Sequence, residues 1–455
     1  MSLGFEQAGF DVVAALEVDP AHAAVHRFNF PRCEVVQADA ADVTRERIVQ
    51  AICAGLRRHG RDVPTSPSVD VVFGGPPCQG FSVGGLLNPN DPRNRLVEQF
   101  ARLVDDLRPR AFVLENVPAM ASRALPGEER LVPDWLTDRL RRVGYEVGAP
   151  MALNASHFGV PQDRRRLVIV GVLASADLPA EPAVVTAPVP KDPGRTLRRG
   201  EAGHPDTSSD LPTGPTVDDA IGSLPDLDDF EVLLHREAVR LPIVVRDAVA
   251  ESASEYGRRL MEGLADDDDL SWPRRRSPSL LTASLRTVHR SEVAERFAAT
   301  ACGDRESISR FVRLHPDGIS ATLRAGSTPD RGSFSAPRPI HPTLDRVISV
   351  REAARLHAYP DWFRFSAAKW HGFRQVGNSV CPPVARAVAS AVRDALDLPA
   401  ILPSQRQPLG PTALLLVASG SGRSSAKTAL TPHPRSPAGV SRRDEAKLPS
   451  KRMAA

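Results

Sequence analysis

The sequence has no run of about 18 consecutive apolar residues, so it offers no candidate transmembrane helix. It opens with no basic stretch leading into an apolar core, and no secretory signal is expected. Its five cysteines (33, 53, 78, 302 and 381) are odd in number, scattered, and form no Cys-x-x-Cys pair. That pattern argues against a disulfide framework or a zinc site and fits a reducing cytoplasm; no bound metal is expected. A large excess of one charge is also missing, the net charge being +3. Residues 401–455 hold nine Lys/Arg against two Asp/Glu, a surplus of seven, which leaves 1–400 at about −4. Bulk charge therefore does not advertise nucleic-acid binding, and any such surface has to be a local basic patch. No internal repeat is evident. What is present is ordinary globular composition, 42% hydrophobic over 455 residues, enough for two or three domains.

The stretch Val71-Val72-Phe73-Gly74-Gly75-Pro76-Pro77-Cys78-Gln79-Gly80-Phe81-Ser82 organises the rest. Three apolar residues read as a short buried strand. Two glycines end it where the backbone has to turn or approach something closely, and two prolines stiffen the turn. Cys78 is the first residue free to do chemistry. It sits at the carboxyl end of a strand, where open α/β sheets bind ligands, although a lone cysteine is more often a small buried hydrophobe. A second strand, Ala111–Leu114, leads into Glu115-Asn116-Val117-Pro118. A carboxyl group there can be desolvated, which raises its pKa and lets it hold a proton. In Gln162-Asp163-Arg164-Arg165-Arg166, residues 162, 164 and 166 share one face by the period of two. They suggest a polar site or, more simply, a solvated basic strand end.

Around these motifs the chain alternates elements. Residues 1–8 read as the tail of a helix closed by Gly9. Residues 11–18 read as a strand with Glu17 near its carboxyl end, where an acidic side chain can accept from ribose hydroxyls or simply be solvated. Pro20 to Phe30 reads as a helix, 35–39 as a strand ending at Asp39, 42–58 and 95–107 as amphipathic helices. Residues 84–94 read as a Gly-, Pro- and Asn-rich loop able to close over a bound base. Helix 133–142 and a strand through 147–153 follow. From 174 to about 340 the periodicity is poor. Basic clusters there include Arg274-Arg275-Arg276, Arg286, His289-Arg290, Arg310 and Arg313, of which some should touch phosphates and others base edges. Ser349 with Glu352 makes a capping box, and Gln375-Val376-Gly377-Asn378-Ser379-Val380 leads into a last helix to about 396. Residues 399–455 are expected to be a disordered basic tail.

Gly-Gly-Pro-Pro-Cys, Glu-Asn-Val and Gln-x-Arg-x-Arg together resemble the catalytic motifs of the DNA cytosine-5 methyltransferases. The resemblance runs over about 1–397 and is loose only in 174–340. It implies an α/β fold: a Rossmann-like, doubly wound catalytic domain dependent on S-adenosylmethionine, with a smaller, irregular target-recognition domain. The implied boundaries are 1–173 for the first catalytic part, 174–340 for target recognition, and 341–398 for motifs returning to the catalytic domain. By resemblance Cys78 attacks C6 of a flipped cytosine, Glu115 assists at N3, and Arg164 and Arg166 order the site and reach the base or sugar-phosphate. Glu17 falls on the cofactor ribose and Asp39 near its adenine, though Ala38 stands where the family often has glycine. Pro76, Asn378 and Val380 fall beside the rest of the cofactor. The implied partners are double-stranded DNA and a restriction endonuclease acting on the same site; a monomer in the cytoplasm is expected.

The sequence departs from the family in one respect. The strand and Phe-x-Gly-x-Gly-Gly loop that precede Leu3-Gly4-Phe5-Glu6 in the family are not among these residues, so the chain is expected to be short at its start and to bind cofactor poorly. Thr412 to Gly422, ending in Gly-x-Gly, offers a permuted substitute. The same departure leaves open a non-catalytic DNA-binding remnant. A third reading is an RNA cytosine-5 methyltransferase, but Cys78-Gln79-Gly80 does not match the Cys-Phe-Thr of the transfer-RNA enzymes.

Overall fold

The computed structural model describes residues 1–77, 95–174, 176–193, 210–263, 268–326 and 338–417. Cys78, the loop 84–94 and the tail beyond 417 lie outside the described residues. Residues 1–419 form one compact unit.

The N-terminal elements are α1 (Ser2–Gln7), β1 (Ala14–Glu17), α2 (Pro20–Asn29), β2 (Glu34–Gln37), α3 (Arg45–Arg58) and β3 (Val71–Gly74). Local chemistry sets their ends. Gly9 takes φ +93° just after α1, a conformation only glycine adopts cheaply. Asp19 caps α2, accepting from the N–H groups of Ala21 and His22 ahead of Pro20 at the first turn. Next come α4 (Leu96–Leu107), β4 (Ala111–Asn116), α5 (Val132–Arg141), β5 (Tyr145–Val147), β6 (Met151–Asn154), β7 (Gln162–Asp163) and β8 (Arg165–Leu173). All six residues of β4 are buried, and its first four, Ala111–Leu114, are a continuous apolar run rather than an alternation.

The sheet comes in two pieces. β1 pairs in parallel with β2. Separately, the order β3-β4-β8-β5 forms a larger sheet, with β6 also on β8. Only β3–β4 is parallel there; β8 runs antiparallel to β4, β5 and β6. The fold is therefore mixed α/β, not one continuous parallel sheet. Among the described residues β1 pairs only with β2, and β3 only with β4. β1 and β3 each present one edge with no strand partner among the described residues. Phe5 of α1 stacks on Phe73 of β3 with ring centroids 3.9 Å apart, and α1 lies against the last helix, α12 (Pro382–Ala395).

The segment after 174 supplies α6 (Val217–Ile221), β9 (Val239–Arg240), α7 (Ile243–Ser252), α8 (Glu255–Glu262), β10 (Leu280–Leu281), α9 (Ser291–Ala298) and β11 (Ser320–Ala321). It shares a core with both ends of the chain: Leu3, Val217, Ala283 and Val350 belong to one apolar cluster. The C-terminal part adds α10 (Val350–Arg355) and α11 (Lys369–Asn378) before α12. The capping box on α10 is formed as expected, Ser349 and Glu352 each satisfying the other's backbone N–H.

Two expectations need correction. The tail is not disordered from 399: Gln407 exchanges backbone hydrogen bonds with Pro273 and Arg275, and Gly410 N–H donates to Phe28 O. Thr412–Leu416 is a 3-10 turn, not a strand. Leu415 packs with Val25 and Phe28 of α2, while Leu416 is exposed.

Candidate active site

Glu115 sits at the carboxyl end of β4, in register with Val168 of β8. Its neighbour in the sheet, β3, ends at Gly74 beside Leu114. Residues 75–77 therefore leave the sheet next to Glu115 and lead directly to Cys78. A Cβ built on Gly75 would lie 2.6 Å from Glu115 Oε2, so any side chain here would displace the carboxylate or the loop. Asn116 Nδ2 donates to Pro76 O at 3.0 Å, pinning the loop to β4. Pro76 is half-buried.

The Glu115 carboxylate meets Arg166, whose Nε lies 2.9 Å from Oε1. Burial raises the Glu115 pKa from its ordinary value, while Arg166 and then Arg164 pull it down; burial wins. The site thus holds a carboxyl group with raised proton affinity, oriented by a guanidinium.

Arg164 is placed differently. It is 2% exposed and spends its guanidinium on backbone: Nη1 donates to Leu323 O at 2.8 Å, and Nη2 to Gly377 O and Ser379 O at 2.7 Å each. Burial lowers its pKa to about 10, so it keeps its charge. In this arrangement it fastens its own strand end to the backbone at 323 and at 377–379. Gln162, fully buried, sits between Leu323 N–H, which donates to its Oε1, and Leu356 O, which accepts from its Nε2. The shared face of 162, 164 and 166 is real, but two of its three members are interior, not solvated.

His357 joins this network and escaped the sequence reading. Its Nε2 lies 3.1 Å from Ser379 O, which can only accept, so Nε2 carries the proton. Nδ1 then accepts from Gln162 Nε2 at 3.1 Å. Burial holds the imidazole well below its usual pKa. No periodicity or motif around Leu356-His357-Ala358 signals this role. Gly377 is equally constrained: a Cβ there would come within 2.5 Å of Ala325 N.

Of the expected cofactor residues, Glu17 and Asp39 lie at the ends of β1 and β2, in the separate two-stranded sheet. Glu17 closes β1, partly buried; Oε1 accepts from Asp19 N–H at 2.9 Å and Oε2 lies 4.0 Å from His22 Nδ1. Burial raises its pKa. Val18 beside it is 60% exposed, an apolar surface next to a carboxylate. Asp39 follows β2, exposed, with Oδ1 accepting from Ala41 N–H at 2.9 Å. Asn378 is exposed at the end of α11, while Val380 is buried among Phe5, Cys381 and Val384. The basic clusters divide as well. Arg274 is buried against Glu6, Nη1 to Oε1 at 2.8 Å, and donates to Asn29 O. Arg313 is buried on the carbonyls of Phe297, His341 and Pro342. These two are structural, whereas Arg275, Arg276, Arg290 and Arg310 are exposed.

A mixed α/β scaffold carrying a guanidinium-held buried carboxyl beside a Gly-Gly-Pro-Pro-Cys loop defines a methyltransferase. The sequence profile of the C-5 cytosine-specific DNA methylases matches residues 1–394. The chain is 42% identical over 416 residues to the type II methyltransferase M.XorII of Xanthomonas oryzae pv. oryzae, covering 91% of this chain and 87% of that protein. It is 30% identical over 438 residues to the type II methyltransferase M.AgeI of Thalassovita gelatinovora, covering 86% and 96%. A crystal structure described as a DNA modification methyltransferase encoded within an E. coli prophage superposes with TM-score 0.62 at 29% identity, covering 87% of this chain and 96% of that one. The chain belongs to the C-5 cytosine-specific DNA methylases and is a DNA cytosine-5 methyltransferase. No helix among the described residues is long and apolar enough to cross a membrane.

Proposed function

We propose that this enzyme methylates C5 of a cytosine flipped out of a specific double-stranded DNA sequence, with Cys78 as nucleophile and S-adenosylmethionine as methyl donor. The observation that carries the reading is the buried Glu115 carboxyl, held by Arg166 at 2.9 Å, on the strand next to the one that delivers Cys78. C6 of cytosine is a weak electrophile and is out of reach inside the stack, so the base has to leave the duplex. Glu115, whose proton affinity burial raises against the pull of Arg166, gives or shares a proton at N3 and draws electron density from the ring. The Cys78 thiolate then forms a bond to C6, and the displaced electron pair makes C5 nucleophilic. Once C5 has been alkylated, a base takes its proton, the electron pair of the broken C5–H bond re-forms the C5–C6 double bond and expels the thiolate, and the proton shared at N3 returns to Glu115. Arg166 keeps Glu115 aimed; Arg164 holds the backbone of 323 and 377–379 around the site.

The residues present fit the cofactor at one end. Glu17, partly buried at the end of β1 beside exposed Val18, would meet a ribose diol next to a flat purine, and Asp39 lies just past the adjacent strand β2. Asn378 and the backbone at Pro76 complete the set. Bound S-adenosylmethionine supplies a methyl group made electrophilic by its sulfonium.

Residues 174–340 are proposed to select the DNA sequence, with exposed Arg275, Arg276, Arg290 and Arg310 on phosphates or base edges. The relatives' names extend the reading to a restriction-modification pair with an endonuclease of the same specificity. The test is transfer of a radiolabelled methyl group to mixed DNA, with RNA in parallel, by the wild type and by Cys78→Ser. Labelled DNA and a denaturation-resistant adduct on 5-fluorocytosine DNA, both lost in Cys78→Ser, are expected. Methylation of RNA alone, or full turnover by the serine variant, overturns the assignment.

A further inference from the structure

A second cluster of ligating side chains lies at the start of α2, outside the Glu115 site. Asp19, the N-cap, accepts with Oδ1 from the N–H of Ala21 at 2.8 Å and of His22 at 3.2 Å. His22 stands on the first turn of the same helix. His371 arrives from α11, and the two imidazoles meet edge to face with centroids 6.3 Å apart. One ligand atom from each of Asp19, His22 and His371 lies within 4.8 Å of the other two.

Two nitrogens in this cluster stand out. His22 Nε2 and His371 Nδ1 are buried and have no hydrogen-bond partner among the described residues. His371 is 9% exposed overall. Buried polar atoms left unpaired are costly and uncommon, and these two belong to histidines that each bring a ligand atom within 4.8 Å of the other and of Asp19. The charge state selects the sign of what can bind. Burial holds His22 down to about 4 and lowers His371 as well, and the Arg374 guanidinium adds to both effects, opposed by Asp19. Both rings are therefore neutral near pH 7, and a neutral imidazole offers a lone pair to a cation.

We propose that Asp19, His22 and His371 bind a divalent transition-metal ion of the Zn²⁺ class, which ties the start of α2 to α11. Two imidazoles and one carboxylate form the borderline nitrogen and oxygen donor set that such ions take, with a fourth position left for water. Glu17 Oε2, 4.0 Å from His22 Nδ1, stands on the far side of the ring. A carboxylate there favours the tautomer that keeps the proton on Nδ1 and turns the Nε2 lone pair inward. The ion joins residues more than 340 positions apart in sequence, at the seam where the chain's C-terminal part returns to its N-terminal part.

The experiment uses the full chain, stripped with a chelator and titrated with Co²⁺ and then Zn²⁺. One Co²⁺ per chain with the visible absorption of four-coordinate cobalt, displaced by Zn²⁺, is expected, together with a rise in melting temperature. His371→Ala and His22→Ala should each weaken Zn²⁺ binding by about 100-fold or more. His371→Gln, which preserves size, covers the case in which the alanine variant fails to fold, and circular dichroism checks both. Absence of the cobalt band, or Zn²⁺ affinity unchanged in the folded histidine variants, overturns the proposal.

Discussion

Arg166 Nε lies 2.9 Å from Glu115 Oε1, with the two side chains 13% and 10% exposed. The pair sets the proton affinity of the site, and it does so against a burial term that outweighs the guanidinium. Replacing Glu115 by Gln preserves shape but removes the proton. We expect kcat/KM to fall by about 100-fold or more. Because the folded pKa is raised, the protonated form persists above the usual carboxylate range and is lost as pH rises through the shifted value. The wild-type pH profile should show that descending limb and Glu115→Gln should lack it; superimposable profiles would sink the assignment.

Arg164 bridges Leu323 O, Gly377 O and Ser379 O. A lysine carries a single ammonium and cannot span that set. Arg164→Lys should cost about 2–3 kcal/mol, the worth of one or two charge-assisted hydrogen bonds, read from the urea midpoint. A change below about 0.5 kcal/mol, the ordinary surface range, would show that the three carbonyls do not depend on it.

Gly75→Ala tests the approach of the nucleophile loop to β4. The new Cβ would sit 2.6 Å from Glu115 Oε2, so either the loop or the carboxylate has to move. Turnover is expected to drop by about 100-fold, the cost of roughly 1 Å of misplacement, while the melting curve stays close to wild type. Normal turnover would mean that the loop does not pass here during catalysis.

Glu352 is held by Arg346, 2.9 and 2.8 Å to its two oxygens, and by Ser349 N–H. Arg346 outcompetes burial and holds the pKa at about 2, below the ordinary 4.5. A depressed carboxylate stabilises the fold above its unfolded pKa and loses that contribution as pH falls from 4.5 toward 2. Glu352→Gln should therefore destabilise by about 3–5 kcal/mol at neutral pH, because Arg346 is left buried and unpaired. The gap to wild type should narrow between about pH 5 and pH 3. A gap independent of pH in denaturant titrations would contradict the linkage.

Adjacent arginines should separate into two behaviours. Arg274, buried on Glu6, should when changed to Ala lower stability by about 3–5 kcal/mol. Arg275→Ala and Arg276→Ala, at exposed positions, should leave stability alone and weaken DNA binding with a shallower salt dependence. The reverse pattern in melting and DNA-binding assays would show that the buried ion pair is dispensable.

Much of this was legible in the sequence because its causes are local. The buried β4 run, the Asp19 and Ser349 caps, Gly9 after α1 and the strand-end positions of Glu17 and Glu115 all follow from period, turn chemistry and capping within a few residues. The period of two also put 162, 164 and 166 on one face. What that face meets was not legible. Arg164 finds its carbonyls about 160 and 215 residues away, Gln162 finds His357, and Arg274 finds Glu6 268 residues upstream. Whether an arginine lies on DNA or inside the protein depends on which distant segment covers it, and no local pattern encodes that. The split between β1 and β3, and the packing of 412–416 as a turn on α2, were settled the same way. Strand pairing and burial are decided by which surfaces the folded chain brings together. The sequence alone determined the elements and the chemistry each carries; the tertiary structure decided which groups are buried, paired and therefore charged.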